Sequence, residues 1–168
     1  MKAKLIIEGR EFPIEIQDPE LQKLLMPRKK TGYERVGPNE SFYIEDELGV
    51  CKMLANTEES VKDEIFENAT YYSSETVAEN NSRADRLMRQ LRRFAVEHRE
   101  KEINWDSMDH LKWSISYDHY GKKLSSYNVR LAQEAFSIYF ESKEKTELAI
   151  ETFHDELIWY FTKYKDSL

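Results

Sequence analysis

The stretch Tyr71-Tyr72-Ser73-Ser74-Glu75 recurs in altered form as Tyr139-Phe140-Glu141-Ser142-Lys143. Each copy places an aromatic doublet ahead of a serine that can cap a helix, and a 3.6-residue apolar period follows. Each copy is also preceded by two strand-like segments around an Asp-x-x-Gly turn, at residues 46–49 and 118–121. These features predict an α+β protein built from a duplicated β-β-β-α unit, with antiparallel sheets and two long amphipathic helices.

The chain divides into three regions around these copies. Residues 1–29 predict an N-terminal β-hairpin and a short helix, residues 30–104 the first repeat, and residues 105–168 the second repeat. The predicted strands of the repeats are residues 42–46, 49–54, 112–117, 123–129 and 135–140. The two long helices run from 75 to about 99 and from 143 to about 165.

Two segments of this outline carry more specific predictions. In the hairpin, Phe12, Ile14 and Ile16 alternate with polar residues, which predicts one buried face, and Pro13 predicts an edge strand. Residues 55–68 allow two structures, a short helix capped by Thr57 or a strand at 64–67 paired with 69–72.

Composition narrows the class of protein. The 168 residues are 40% hydrophobic and 12% aromatic, which is enough to form a core, while 34% charged residues and a net charge of −7 predict an acidic, soluble surface. Neither a stretch of about 20 apolar residues nor a signal-peptide core is present. The single cysteine, Cys51, excludes an internal disulfide and is predicted to be a buried thiol. We therefore expect a cytoplasmic protein that does not bind membranes.

Negative charge concentrates in residues 39–67, which hold nine acidic side chains and two lysines, a local charge of −7. An acidic surface of this kind can imitate a phosphate backbone and bind the basic groove of a nucleic-acid-binding protein. The alternative is a loop that only improves solubility. The candidate partner-binding acidic residues are Glu45, Asp46, Glu47, Glu58, Glu59, Asp63 and Glu64.

Positive charge concentrates on the first long helix, where residues 83–101 hold seven basic and three acidic side chains. Arg83, Arg86, Arg89 and Arg93 fall on one flank of that helix, and guanidinium groups bind phosphates or carboxylates through paired hydrogen bonds. The alternative is a solvated face whose arginines pair with nearby glutamates.

Aromatic residues supply candidate anchors for a partner. Tyr71, Tyr72 and Trp159 are of the residue types that dominate protein interfaces, and Trp159 lies away from the apolar stripe of the last helix. The alternative is that Trp159 packs against the other long helix or the N-terminal hairpin.

Motifs of catalysis are missing from the sequence. It contains neither His-Glu-x-x-His nor Gly-x-Ser-x-Gly, and its five glycines form no phosphate-binding loop or dinucleotide fingerprint. Asp106, Asp109 and His110 form a loose cluster that we interpret as a surface loop. The sequence thus predicts a non-enzymatic protein with no catalytic residues, no cofactor and no metal site.

Four segments together carry a family resemblance. They are Lys30-Thr31-Gly32-Tyr33-Glu34-Arg35-Val36, Tyr71-Tyr72-Ser73-Ser74, residues 84–94 (ADRLMRQLRRF) and residues 153–161 (FHDELIWYF). Over most of residues 30–168 the chain resembles small accessory proteins carried by phages, prophages and other mobile elements of Gram-positive bacteria. The resemblance implies an intracellular protein of a mobile element but supplies no catalytic residues. By analogy, small acidic proteins of such elements often block a host defence system.

Three functional hypotheses follow. The leading one is a phage-encoded inhibitor that binds a host defence protein, above all a CRISPR nuclease, through the acidic segment and the aromatic anchors. The second is a module that binds nucleic acid or a nucleotide through the arginine flank. The third is an assembly component that forms a homodimer through the last helix.

Overall fold

The computed structural model describes seven stretches of the chain, and the structural statements that follow apply to them. They are residues 2–7, 10–25, 30–37, 40–45, 51–54, 58–68 and 70–164. The predicted turn at 46–49, the candidate cap Thr57 and the candidate site residues Asp46 and Glu47 lie outside them.

The molecule is a mixed α+β protein in which small antiparallel sheets alternate with helices. The N-terminal region contains β1 (Lys2–Ile7), β2 (Arg10–Glu15) and α1 (Pro19–Leu25). The first β-α region contains β3 (Phe42–Glu45), β4 (Cys51–Leu54), α2 (Glu59–Glu67), β5 (Tyr71–Tyr72) and α3 (Glu75–Glu97). The second contains β6 (Lys112–Asp118), β7 (Lys123–Val129), α4 (Lys143–Thr152), α5 (His154–Trp159) and a π-helical turn (Tyr160–Tyr164).

In the first β-α region, β3 is the central strand of a three-stranded antiparallel sheet in the order β4-β3-β5. Tyr43 pairs with Tyr72 across β3 and β5, and α3 packs on this sheet. Phe42 is fully buried and stacks on the ring of Tyr71 at 4.4 Å between ring centroids. Residues 59–67 are helical, so of the two predicted alternatives the helix is correct and the strand at 64–67 is wrong.

In the second β-α region, β6 pairs with β7 along seven residues and with a single residue on its other side. That residue is Phe140, whose backbone exchanges two hydrogen bonds with Trp113, at 3.0 and 2.7 Å. The predicted strand at 135–140 is therefore wrong except at its end. The chain turns at residues 135–136, where Phe136 adopts a φ of 65°, which lies outside the β region of backbone angles.

The principal core lies where α3 meets the second β-α region. Buried side chains from both sides meet there, namely Leu87, Leu91, Phe94, Phe140, Ala149 and Leu157. Since α3 also packs on β3, β4 and β5, one helix supports both sheets.

The last helix departs from the single element that its apolar period predicts. It breaks at Phe153, whose backbone has φ −111° and ψ 21°, and its final turn is π-helical. Ala149, Phe153, Leu157 and Phe161 are spaced by four residues, and at 100° per residue such a row drifts steadily off one face. A break and a wider turn return these side chains to the core, where Phe153 packs edge-on against Phe94 at 5.5 Å.

The predicted N-terminal hairpin forms, with Lys4 opposite Pro13, but its predicted buried face is wrong. Phe12 and Ile14 are 46% and 36% exposed. The reason is that β1 and β2 form a two-stranded sheet of their own, and no other described element packs closely on its faces. Among the described helices, none is both long and apolar enough to cross a bilayer.

Candidate partner-binding surface

The acidic surface is carried by α2. Its inner side is held by Phe66, whose ring meets Tyr71 edge-on at 5.6 Å. Lys62 is also buried there, with its Nζ 3.5 Å from Glu59 Oε2 of the same helix. Its outer side exposes carboxylates around roughly half of the helix. They are Glu59, Asp63, Glu64 and Glu67, together with Glu58 at the N-cap.

One of these carboxylates is neutralised from a neighbouring segment. The Arg35 guanidinium forms an ion pair with Asp63 and also covers the face of Phe66, with its Cζ 4.4 Å from the ring centroid. Within the described residues, Glu58, Glu64 and Glu67 form no ion pair. Net negative charge therefore remains on the exposed side of α2, and Glu64 and Glu67 add to the negative end of the helix dipole.

Glu45 belongs to a different environment from α2. Its side chain is only 12% exposed and accepts a hydrogen bond of 3.4 Å from Arg89 Nη2 on α3. Of the seven predicted acidic residues, the structure thus groups Glu58, Glu59, Asp63 and Glu64 on one helix and places Glu45 beneath an arginine.

The prediction that Tyr71 and Tyr72 anchor a partner is corrected. The two side chains are 4% and 5% exposed because β5 lies between β3 and the start of α3. Both tyrosines are core residues, and the Tyr71 hydroxyl accepts a hydrogen bond from the Val36 backbone N–H at 3.0 Å.

Trp159 is half-buried beneath an arginine. Arg83 donates from Nε and Nη2 to the two carboxylate oxygens of Glu156 at 2.8 and 2.9 Å, and its Cζ lies 3.9 Å from the Trp159 ring. The Arg83 hydrogen bonds hold the pKa of Glu156 below its usual value. Sequence reasoning missed Glu156, although its three-residue spacing from Trp159 places the two on adjoining faces of a helix.

The remaining arginines of the predicted flank do not form one open site. Arg89 contacts Glu45, and Arg93 pairs with Glu97 one turn along α3 at 3.5 Å. Arg86 is exposed and forms no ion pair with the described part of the chain. The carboxylates therefore occupy three of the four guanidinium groups, which is the alternative that the sequence left open.

A hydrogen-bonded chain beside Arg83 was not anticipated from the sequence. Asn81 on α3 donates to the Tyr33 hydroxyl at 2.8 Å and accepts from the Tyr164 hydroxyl at 3.0 Å. Burial, followed by nearby Tyr33, raises the pKa of Tyr164. The three residues join the segment ahead of β3 to the C-terminal turn, and the 48- and 83-residue separations leave no local signal in the sequence.

The loose cluster at 106–110 is a hydrogen-bonded loop. Asp106 N–H donates to the Asn104 side chain at 2.9 Å, and His110 Nδ1 accepts from the Asn104 backbone N–H at 3.2 Å. In the described part of the chain, no three His, Cys, Asp or Glu side chains are grouped so that they could hold a metal ion.

Comparison of the chain with protein-family models, with curated proteins and with solved structures gives no match in any of the three.

Proposed function

We propose that the protein binds a basic surface of a partner protein through the exposed face of α2 and acts without catalysis. The observation that carries the proposal is the row of exposed carboxylates on a helix that is anchored by the packing of Phe66 against Tyr71 and by the ion pair of Arg35 with Asp63. Because the helix is anchored, little conformational entropy is lost when its charges meet a complementary surface.

The partner class is inferred from charge and from the family resemblance. A basic groove that normally holds nucleic acid is complementary to a helix with this charge, and by analogy small acidic proteins of mobile elements often block a host defence system. The proposed partner is thus a host defence protein, with a CRISPR nuclease as the first candidate, and the proposed location is the bacterial cytoplasm.

Charge reversal tests this function. The variant E58K/E64K/E67K changes three exposed carboxylates on α2, and E102K/D109K/E151K changes the same number of exposed carboxylates elsewhere. In pull-downs from nuclease-treated host lysate read by mass spectrometry, we expect a protein captured by the wild type to be lost only with the α2 variant. Equal capture by both variants would contradict the proposal.

The arginine flank supports a second proposal less well, because Arg83, Arg89 and Arg93 already contact carboxylates. If the flank nonetheless binds nucleic acid or a nucleotide, R86E/R89E/R93E should abolish capture that is seen only without nuclease treatment, and binding should weaken steeply with salt.

A homodimer through the last helix predicts a dimeric mass in light scattering.

The duplicated origin of the two β-α regions is likewise proposed. The order of elements supports this proposal. In each region the first strand is central, and an aromatic residue later in the chain pairs with it. That aromatic residue is followed by a serine that is the N-cap of a helix.

A further inference from the structure

A groove of about 260 Å³ opens between α3, β6, the segment 135–140 and the C-terminal helical turns. Apolar side chains form most of its wall, including Met88, Leu91, Ile115, Phe140, Leu157 and Phe161. An apolar cavity of about 150 Å³ is large enough to take up benzene, so this groove has room for a fused bicyclic molecule.

Two irregular backbone segments border this same groove. Phe136 lies at its rim with a φ of 65°, and its side chain is 93% exposed. Tyr160 and Phe161, which line the opposite side, begin the π-helical turn. Left-handed backbone at a bulky residue and π-helical turns both cost free energy, and both concentrate at binding sites.

The polar groups of the groove restrict the chemistry of a ligand. Ser114 Oγ donates its proton to the Ile138 carbonyl at 2.9 Å, and Ser137 Oγ donates to Glu134 Oε2 at 3.2 Å. A hydroxyl has one proton and two lone pairs, so each serine can still accept a hydrogen bond. None of the described residues that line the groove carries a charge.

We propose that this groove binds a small, uncharged aromatic molecule with one N–H or O–H donor, and that Phe136 is the lid. The apolar wall covers the rings, and a serine oxygen accepts the ligand's proton. Rotation of the strained 135–136 turn brings the exposed Phe136 ring over the ligand. This site is independent of the acidic face of α2 and stands whether or not that face binds a partner.

Indole and indene are suitable probes because they share their size and shape, whereas only indole has an N–H donor. In titrations of the full chain followed by ligand-observed NMR, we expect saturable 1:1 binding of indole and at least tenfold weaker binding of indene. Failure of indole to saturate, or equal affinity for the two probes, would overturn the proposal.

Two variants test the position of the site and the lid. Ala135→Trp places a large side chain at an exposed position of the rim and should abolish indole binding. Phe136→Gly removes the lid, and glycine tolerates the backbone angle, so the variant should fold and bind about tenfold more weakly.

Lys122→Gly is the matched control for the lid. Lys122 has a φ of 50° and lies in the β6–β7 turn, away from the groove, so its replacement relieves the same kind of strain without altering the wall. We expect it to bind indole as the wild type does. Indole affinity that is unchanged in both Ala135→Trp and Phe136→Gly, with cooperative thermal unfolding retained, would contradict the assignment of the groove.

Discussion

The two β-α regions differ in how the central strand is paired on its second side and in the surface that lies beside it. In the first, the chain reaches the third strand through α2, an acidic helix, and the sheet beneath is closed by Phe42, Tyr71 and Tyr72. In the second, it reaches Phe140 through the irregular segment 130–139, and a groove stays open beside that residue. The segment that follows the second strand, α2 in the first region and residues 130–139 in the second, therefore determines which surface each region presents.

The largest expected effect compares the central aromatic residue of each region. Phe42→Ala and Phe140→Ala should each lower the free energy of unfolding by about 3–5 kcal/mol, because each removes a buried ring. The loss should be larger for Phe42→Ala than for Phe140→Ala, because Phe42 is fully buried whereas Phe140 borders the groove. Urea unfolding followed by circular dichroism measures both values.

The same experiment tests whether the two regions unfold together. Because α3 packs on both sheets, each variant should show one transition at a lower midpoint. Two separate transitions would show that the regions are independent, and a larger loss for Phe140→Ala would contradict the difference in packing.

A smaller effect concerns the segment that leads into the first region. Gly32 has a φ of 92°, and a Cβ at this position would lie 2.5 Å from Val77 Cγ2 on α3. Gly32→Ala should therefore destabilise the protein by about 1–3 kcal/mol. Gly37→Ala is the matched control, because its nearest contact would be the end of the Glu40 side chain at 3.6 Å, and it should change the thermal midpoint little. Equal losses in both would show that the approach to Val77 is unimportant.

The smallest expected effect is a dependence on pH, and it has a counterpart in each region. Glu34 accepts hydrogen bonds from Thr31, Gly32 and Ser73, and the Thr31 backbone N–H makes the largest contribution in lowering its pKa from 4.5 to about 2. Burial alone would raise the pKa of Glu141, but the backbone N–H groups of Glu100 and Lys101 outweigh it and lower that pKa.

A carboxylate with a lowered folded-state pKa stabilises the protein fully above its unfolded value and loses this contribution as the pH falls through the folded value. Wild-type stability should therefore decline between about pH 4.5 and 2, and Glu34→Gln should decline less over this range. Glu141→Gln should also decline less than the wild type. Denaturant unfolding at four pH values measures the slopes, and an unchanged acid slope in Glu34→Gln would contradict the role of this carboxylate.

Local patterns predicted the regular elements of this fold well. The short helix predicted within residues 1–29 forms at 19–25, and the strand at 123–129 and the long helix starting at 75 form where capping residues and periodicity predict them. The acidic surface was also visible as a run of charge, and four of its seven residues lie together on α2 or at its N-cap.

The features that failed depend on contacts distant in sequence. Exposure of Phe12 follows from the hairpin forming its own sheet, and burial of Tyr72 follows from its place between β3 and α3. The role of Glu156 could be recognised only from the structure, because its partner Arg83 lies on α3 and Glu156 lies on α5. The pattern of side chains predicts which residues share one face of a helix or strand. Which other element packs against that face depends on tertiary packing.

The shared position of α3 determines how the chain can be divided. A fragment that ends with α3 would contain every strand of the first sheet, yet Leu87, Leu91 and Phe94 would face water instead of Phe140, Ala149 and Leu157. The C-terminal remainder would lack the helix that covers its own core. Neither half is therefore a transferable module, and splitting the chain after residue 104 would yield two fragments that each expose the apolar surface which the other normally covers.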